Sequence, residues 1–137
     1  MAAQYELRAR RHRVLVVDDD PESANALAAV LSMSPTIDAE PAYGGVQALH
    51  AARASRPTAV VLDMEMPPVT GFQVADALVR AFPGNPPRLI AVTGNPALCA
   101  AALQDARFAD ALLKPADLVL LMGALEDAFA GRPPPRR

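Results

Sequence analysis

The sequence has one cysteine, Cys99, no tryptophan, and aromatic residues at only 4%. A lone thiol cannot close an internal disulfide, which excludes a small disulfide-stapled scaffold and leaves Cys99 as a packed thiol in an Ala/Leu helix. No apolar run approaches the ~20 residues of a membrane-spanning helix, and the N-terminus lacks the apolar stretch of a secretory signal. A cytoplasmic setting is the expectation. His12 and His50 are isolated, with neither metal-ligand spacing nor a neighbouring nucleophile, and receive no role. Lysine is scarce as well. Lys114 is the one lysine among thirteen basic residues.

What is present fits one globular domain: 137 residues, 52% apolar and 20% charged. The formal charge of −2 conceals an uneven distribution. Residues 1–13 set four arginines against Glu6, and residues 131–137 carry three arginines and no acid, so each end is +3. The body between them holds fourteen acids against five arginines and Lys114, a formal −8. Phosphate binding needs clustered cations, so such a body disfavours direct DNA binding. The basic ends are expected to be flexible, solvated extensions.

Short apolar runs alternate with segments of helical period along the whole body. Val14–Val17 is the first predicted strand and breaks into Asp18-Asp19-Asp20. Asp20 and Pro21 suit the N-cap and first position of a helix whose inward stripe is Ala24, Leu27, Val30 and Leu31. Ile37–Ala42 reads as an edge strand because of Pro41. A second helix follows Gly44-Gly45 through Val46, Leu49 and Ala52, and Ala59–Leu62 is a third strand running into Asp63. Residues 64–71 read as a loop, before a third helix on Ala75, Leu78, Val79 and Phe82. Leu89–Val92 leads to Thr93-Gly94, an Ala-rich helix spans about 96–105, and Ala109–Leu113 leads to Lys114-Pro115. Asp117 suits the cap of a last helix with the stripe Leu118, Leu121, Met122, Leu125 and Phe129. Val119 and Leu120 fall off that stripe, as do Ala97 and Leu98 on the preceding helix, and these apolar extras suit a partner surface.

Five strands that are apolar on both faces, each followed by a helix, predict an α/β (βα)5 fold with a parallel sheet covered on both sides. The polar interruptions fall at strand ends: Asp18 and Asp19, Asp63, Thr93, and Lys114. Ligands of open α/β sheets bind outside the carboxyl ends of the strands, where strand order reverses. Right-handed crossovers put the first and third strands side by side there, which gathers three carboxylates. Such a cluster repels itself unless protonated or filled, and a hard divalent ion such as Mg2+ suits its oxygens. A carboxylate can also serve as nucleophile to phosphorus, with metal, ammonium and hydroxyl neutralising the phosphoryl oxygens. The set reads as a phosphoryl-accepting site.

VLVVDDDP at 14–21, VVLDMEMPPVTG at 60–71, VTG at 92–94 and LLKP at 112–115 resemble the receiver domains of two-component response regulators, of the chemotaxis-regulator type. The resemblance implies a flavodoxin-like, doubly wound five-stranded sheet of order 2-1-3-4-5. It implies a receiver domain over residues 13–130, between a basic extension at 1–12 and a Pro/Arg tail at 131–137, acting as a stand-alone unit without an output domain. In that family Asp63 matches the phosphoacceptor, with Mg2+ held by Asp19 and Asp63, by Asp18 through water, and by the backbone carbonyl of Glu65. Thr93 matches the switch hydroxyl, Lys114 the phosphoryl-binding ammonium, and Pro115 the cis-proline that aims it. Pro67 and Gly71 match the loop after the acceptor, and Glu65 and Asn95 the positions that set hydrolysis rate. The implied partners are a histidine kinase or histidine phosphotransfer protein, and a target protein. The family also allows a homodimer through the face of its fourth helix, fifth strand and fifth helix.

The chain departs from the family pattern in three places. Ala111 stands where an aromatic ring usually precedes the lysine by three residues, and Phe108 lies six before it. Gly94 follows the threonine and Ala116 follows Lys114-Pro115, where the family usually has an alanine-like residue and an aromatic. Phosphoryl chemistry is therefore expected without the usual aromatic switch, and Gly94 is a candidate hinge. Two other readings stay open: a receiver-like binding module that works without phosphorylation, and a phosphatase of the haloacid dehalogenase type. The phosphatase fits less well, because its nucleophile follows the first strand as Asp-x-Asp.

Overall fold

The computed structural model describes residues 11–131. Most of both expected extensions lies outside the described residues. The elements are β1 (His12–Val17), α1 (Pro21–Ser32), β2 (Ile37–Ala42), α2 (Gly45–Ser55) and β3 (Ala59–Asp63), then β4 (Glu65–Met66) and β5 (Val69–Thr70). They continue as α3 (Gly71–Ala81), β6 (Arg88–Thr93), α4 (Pro96–Leu103), β7 (Phe108–Leu113) and α5 (Leu118–Phe129). The main sheet has the order β2-β1-β3-β6-β7, parallel throughout, as expected for the doubly wound fold. The residues read as a loop at 64–71 fold into a two-stranded hairpin, with Glu65 opposite Thr70 and Met66 opposite Val69.

The sheet is buried on both faces because alternate strand residues serve opposite helices. Leu15, Val17, Val60, Leu62, Leu89 and Ala91 pack with Ala48 and Ala52 of α2, Val74 and Leu78 of α3, and Cys99 of α4. Val14, Val16, Val61, Ile90 and Val92 pack with Leu31 of α1 and with Leu121 and Leu125 of α5. Leu15 and Leu62 are fully buried, and each removes apolar surface worth about 1.5–3 kcal/mol. Truncating either to alanine costs about 2–5 kcal/mol once the cavity is included.

Several stripe residues differ from the sequence expectation. Val30, Val46 and Leu118 are exposed, and Ala28, Ala48, Ala124 and Ala128 are buried in their helices. Alanines share the contact face with Leu31, Leu78, Leu121 and Leu125 and permit close approach to the sheet, which leaves Val30, Val46 and Leu118 outside it. Leu98 packs against the core, contrary to its expected exposure, whereas Val119 is exposed as expected.

Caps explain where the helices begin. Thr70 and Gln73 form a reciprocal capping box at α3. Asn95 Oδ1 accepts from Ala97 and Leu98 N–H, and Asp117 Oδ1 from Val119 and Leu120 N–H. Asp20 occupies the N-cap of α1 before Pro21, but its carboxylate accepts from Ser23 Oγ (2.6 Å) and makes no backbone cap bond. His12, given no role from sequence, stacks on Phe129 at 4.0 Å and ties β1 to α5.

Candidate functional site

Parallel register carries one polar residue after another to the same edge. Val17 stands beside Leu62, Asp63 beside Val92, and Thr93 beside Leu113. Asp18 therefore leaves β1 level with Asp63 at the end of β3, with Asp19 one residue beyond, and Lys114 leaves β7 just beyond Thr93. Carboxylate oxygens of Asp18, Asp19 and Asp63 lie within 4.8 Å of one another. The Lys114 ammonium reaches 3.4 Å from Asp63 Oδ2 and 3.6 Å from Asp18 Oδ2. The Asp63 side chain is 8% exposed and that of Lys114 is 41% exposed, so the pair has one sheltered and one wet end.

Burial pushes the Asp63 carboxyl above its ordinary value. The Glu65 N–H on Asp63 Oδ1 (3.1 Å) and the Lys114 ammonium pull it back down, and the Asp18 carboxylate pushes it up again. A site built this way gains by receiving positive charge. Three carboxylates at this spacing, all oxygen donors, fit a hard divalent cation such as Mg2+.

Thr93 is fully buried at the end of β6. Its Oγ1 accepts from Asn95 N–H (3.1 Å) and donates to Glu65 Oε1 (3.1 Å). The Lys114 N–H donates to the Thr93 carbonyl at 2.8 Å, which ties the end of β7 to the end of β6. The Lys114–Pro115 peptide is cis, and so is Pro67–Pro68. Pro67 and Pro68 join the two strands of the β4–β5 hairpin.

Gly71 shows why the third helix can begin so near the site. A Cβ there would approach the Met64 sulfur, lie 2.8 Å from Met64 Cα and 3.0 Å from the Asp63 carbonyl. Gly71 N–H donates to the Met64 carbonyl at 3.1 Å, so α3 starts in contact with the backbone that follows Asp63. Gly94 differs: it has open space around it and no positive φ, so the geometry does not demand glycine there.

A family model described as the response regulator receiver domain matches residues 14–126. The chain belongs to that family. Among curated relatives, a protein-glutamate methylesterase/protein-glutamine glutaminase 3 from Anaeromyxobacter dehalogenans is 32% identical, covering 90% of this chain and 42% of that protein. The transcriptional regulatory protein PrrA of Mycobacterium tuberculosis is 36% identical, covering 82% of this chain and 49% of that one. The chain thus spans under half the length of these relatives. A response regulator receiver protein from Pseudomonas putida superposes with a TM-score of 0.72 at 29% identity, covering 85% of this chain and 97% of that one. A sensor protein from Polaromonas sp. JS666 gives 0.78 at 24% identity, over 88% and 98% of the two chains, and supports the fold.

In this receiver domain the position of the usual aromatic is Ala111, buried on β7. Phe108 does not take its place. It begins β7, at the end of the strand away from Lys114, and meets Phe72 edge-on at 5.8 Å. The sequence expectations missed the Glu65–Thr93 bond, because a hydrogen bond between side chains 28 residues apart in sequence leaves no local pattern. They also missed an apolar groove of about 520 Å3 that runs beside Asp19 between Tyr43, Val46, Pro68 and Val69. A groove of about 640 Å3 lined by Asn85, Arg88, Arg107 and Phe108 lies at the other end of the sheet and has no part in this site.

Proposed function

We propose that Asp63 accepts a phosphoryl group from a phosphohistidine on a partner kinase or phosphotransfer protein. The observation that carries this reading is the Asp63 carboxylate 3.4 Å from the Lys114 ammonium, within a cluster of three carboxylates. Asp63 oxygen attacks phosphorus as the bond from phosphorus to the histidine nitrogen breaks, and the imidazole leaves with the electron pair and takes up a proton. Lys114 neutralises a phosphoryl oxygen, and the Thr93 hydroxyl is placed to donate to another. Asp19 and Asp63, with Asp18 through water and the Glu65 carbonyl, would hold Mg2+, which supplies charge neutralisation at the phosphoryl oxygens. Glu65 and Asn95 flank the position and would govern how readily water removes the group.

The product is an acyl phosphate that signals through protein contacts, in a cytoplasmic two-component system. The domain itself carries out only its own phosphorylation and dephosphorylation. The acidic body argues against direct DNA contact by this domain, and the face formed by α4, β7 and α5 is a homodimer candidate, with Leu113, Leu118, Val119 and Leu120 exposed on it. A second reading, a binding module that works without phosphorylation, draws on Ala111. The phosphatase reading is weakened by the position of Asp63 after β3.

The test is incubation with Mg2+ and a small acyl phosphate donor, followed by intact mass. One added phosphoryl group, absent in Asp63→Asn and without Mg2+, supports phosphoacceptance. No adduct supports the binding module, and repeated turnover of a phosphate monoester supports the phosphatase.

A further inference from the structure

Thr93 and Glu65 share a proton that phosphoryl binding also needs. A hydroxyl has one proton to give, and in this structure it goes to the Glu65 carboxylate at 3.1 Å. The remaining contact of Thr93 Oγ1, from Asn95 N–H, uses a lone pair and is compatible with any direction of the proton. Thr93 is fully buried, so its donor must always find an acceptor. Glu65 is exposed, so its carboxylate can leave for water at little cost.

We propose that the Glu65 carboxylate is a latch on the Thr93 hydroxyl, and that a phosphoryl group on Asp63 takes over that proton and releases Glu65. The inference rests on Asp63 being the phosphoacceptor. Glu65 is well placed to link the two events. Its N–H holds Asp63 Oδ1 at 3.1 Å while its side chain holds Thr93, so one residue touches both acceptor and switch. A new anion on Asp63 also repels the neighbouring carboxylate, which favours its departure. The released charge lies on the β4–β5 hairpin, whose Met66, Pro68 and Val69 line the apolar groove with Tyr43 and Val46. This gives Thr93 an output route that does not call on a ring at Ala111. Glu65 is here a positioning residue, acting through Thr93.

The test measures affinity of the full chain for beryllofluoride, a phosphoryl mimic, with Mg2+ present, by calorimetry or amide shifts. Glu65→Ala is expected to bind roughly tenfold tighter than wild type, the scale of a hydrogen bond to a charged group. Glu65→Gln keeps an acceptor for the hydroxyl and recovers most of the wild-type affinity. In a Thr93→Ala background the gain from Glu65→Ala collapses towards onefold. An equal gain in both backgrounds, a gain in Glu65→Gln matching that of Glu65→Ala, or no gain in Glu65→Ala overturns the latch. If Thr93→Ala does not fold, the comparison of Gln with Ala at position 65 decides. Wild-type protein that binds no beryllofluoride and takes up no phosphoryl group contradicts the proposed function itself, and the latch with it.

Discussion

The Lys114 ammonium stands 3.4 Å from Asp63 Oδ2 although β6 lies between the strands that carry them. Lys114 reaches across the end of an intervening strand, whose last residue, Thr93, accepts the Lys114 N–H. The acid at Asp63 and the base at Lys114 are thus fixed by sheet register, and the arrangement of their charges sets how Asp63 titrates and how the protein responds to metal.

Removing Lys114 takes away a charge that lowers the Asp63 carboxyl, and removing Asp18 takes away one that raises it. In carboxyl-selective NMR titrations without metal, Asp63 is expected to titrate above the ordinary carboxylate range. It titrates higher still in Lys114→Ala and lower in Asp18→Asn. Lys114→Arg is not expected to restore function, since a planar fork on a longer stem does not replace a compact ammonium.

The sign of the Asp63 shift also predicts a stability effect. A carboxyl whose folded value is raised takes up protons more readily when folded. Its ionised form therefore costs stability above that value, and the cost is relieved as pH falls through it. At neutral pH without metal, Asp63→Asn should be more stable than wild type, with a higher melting temperature. Divalent metal reverses the order. Mg2+ at a hundred times its dissociation constant should stabilise wild type by about 2.7 kcal/mol and leave Asp63→Asn and Asp19→Asn much less affected.

Glycines 71 and 94 should respond in opposite ways. Gly71→Ala drives a methyl group against Met64 Cα and the Asp63 carbonyl, and should cost about 1–3 kcal/mol in chemical denaturation. Gly94→Ala meets open space at an ordinary φ and should be neutral or stabilise by about 0.4–1 kcal/mol. A large loss of phosphoryl uptake in Gly94→Ala would restore Gly94 as a hinge.

Arg107 holds the Asp105 carboxyl below its usual range, through a 2.7 Å ion pair and a second bond from Nε. A lowered folded value contributes stability that is present above the unfolded value near 3.8 and is lost as pH falls through the folded one. Asp105→Asn should therefore lose up to about 1 kcal/mol at pH 7 and nothing measurable under strongly acid conditions. The pair is partly exposed, which sets the small size of the effect.

Much of this was legible in the sequence because it depends on local pattern. Val14–Val17 and Ala59–Leu62 are strands whose alternation serves both faces, and Asp63, Thr93 and Lys114 stand where that alternation stops. Right-handed crossover then fixes their convergence. The stripes of α1, α2 and α5 were harder to place, since Val30, Val46 and Leu118 outrank alanine in hydrophobicity while close packing on the sheet selects Ala28, Ala48 and Ala124. The hairpin at Glu65–Thr70 is local, but Pro67-Pro68 read as a loop rather than as the turn between two short strands, and the bond from Thr93 to Glu65 spans residues no window of sequence contains. Asp20 shows the converse: its position as N-cap was legible, but Ser23 took the carboxylate that would have capped the helix.

The central claim is that Asp63 carries the phosphoryl group. An acyl phosphate can be trapped by borohydride, which reduces the modified aspartate to homoserine, and the site can be read by peptide mass spectrometry. After reaction with an acyl phosphate donor and Mg2+, homoserine is expected at position 63 and at no other aspartate. Homoserine at Asp18 or Asp19, or a phosphoryl group that survives in Asp63→Asn, would contradict the account.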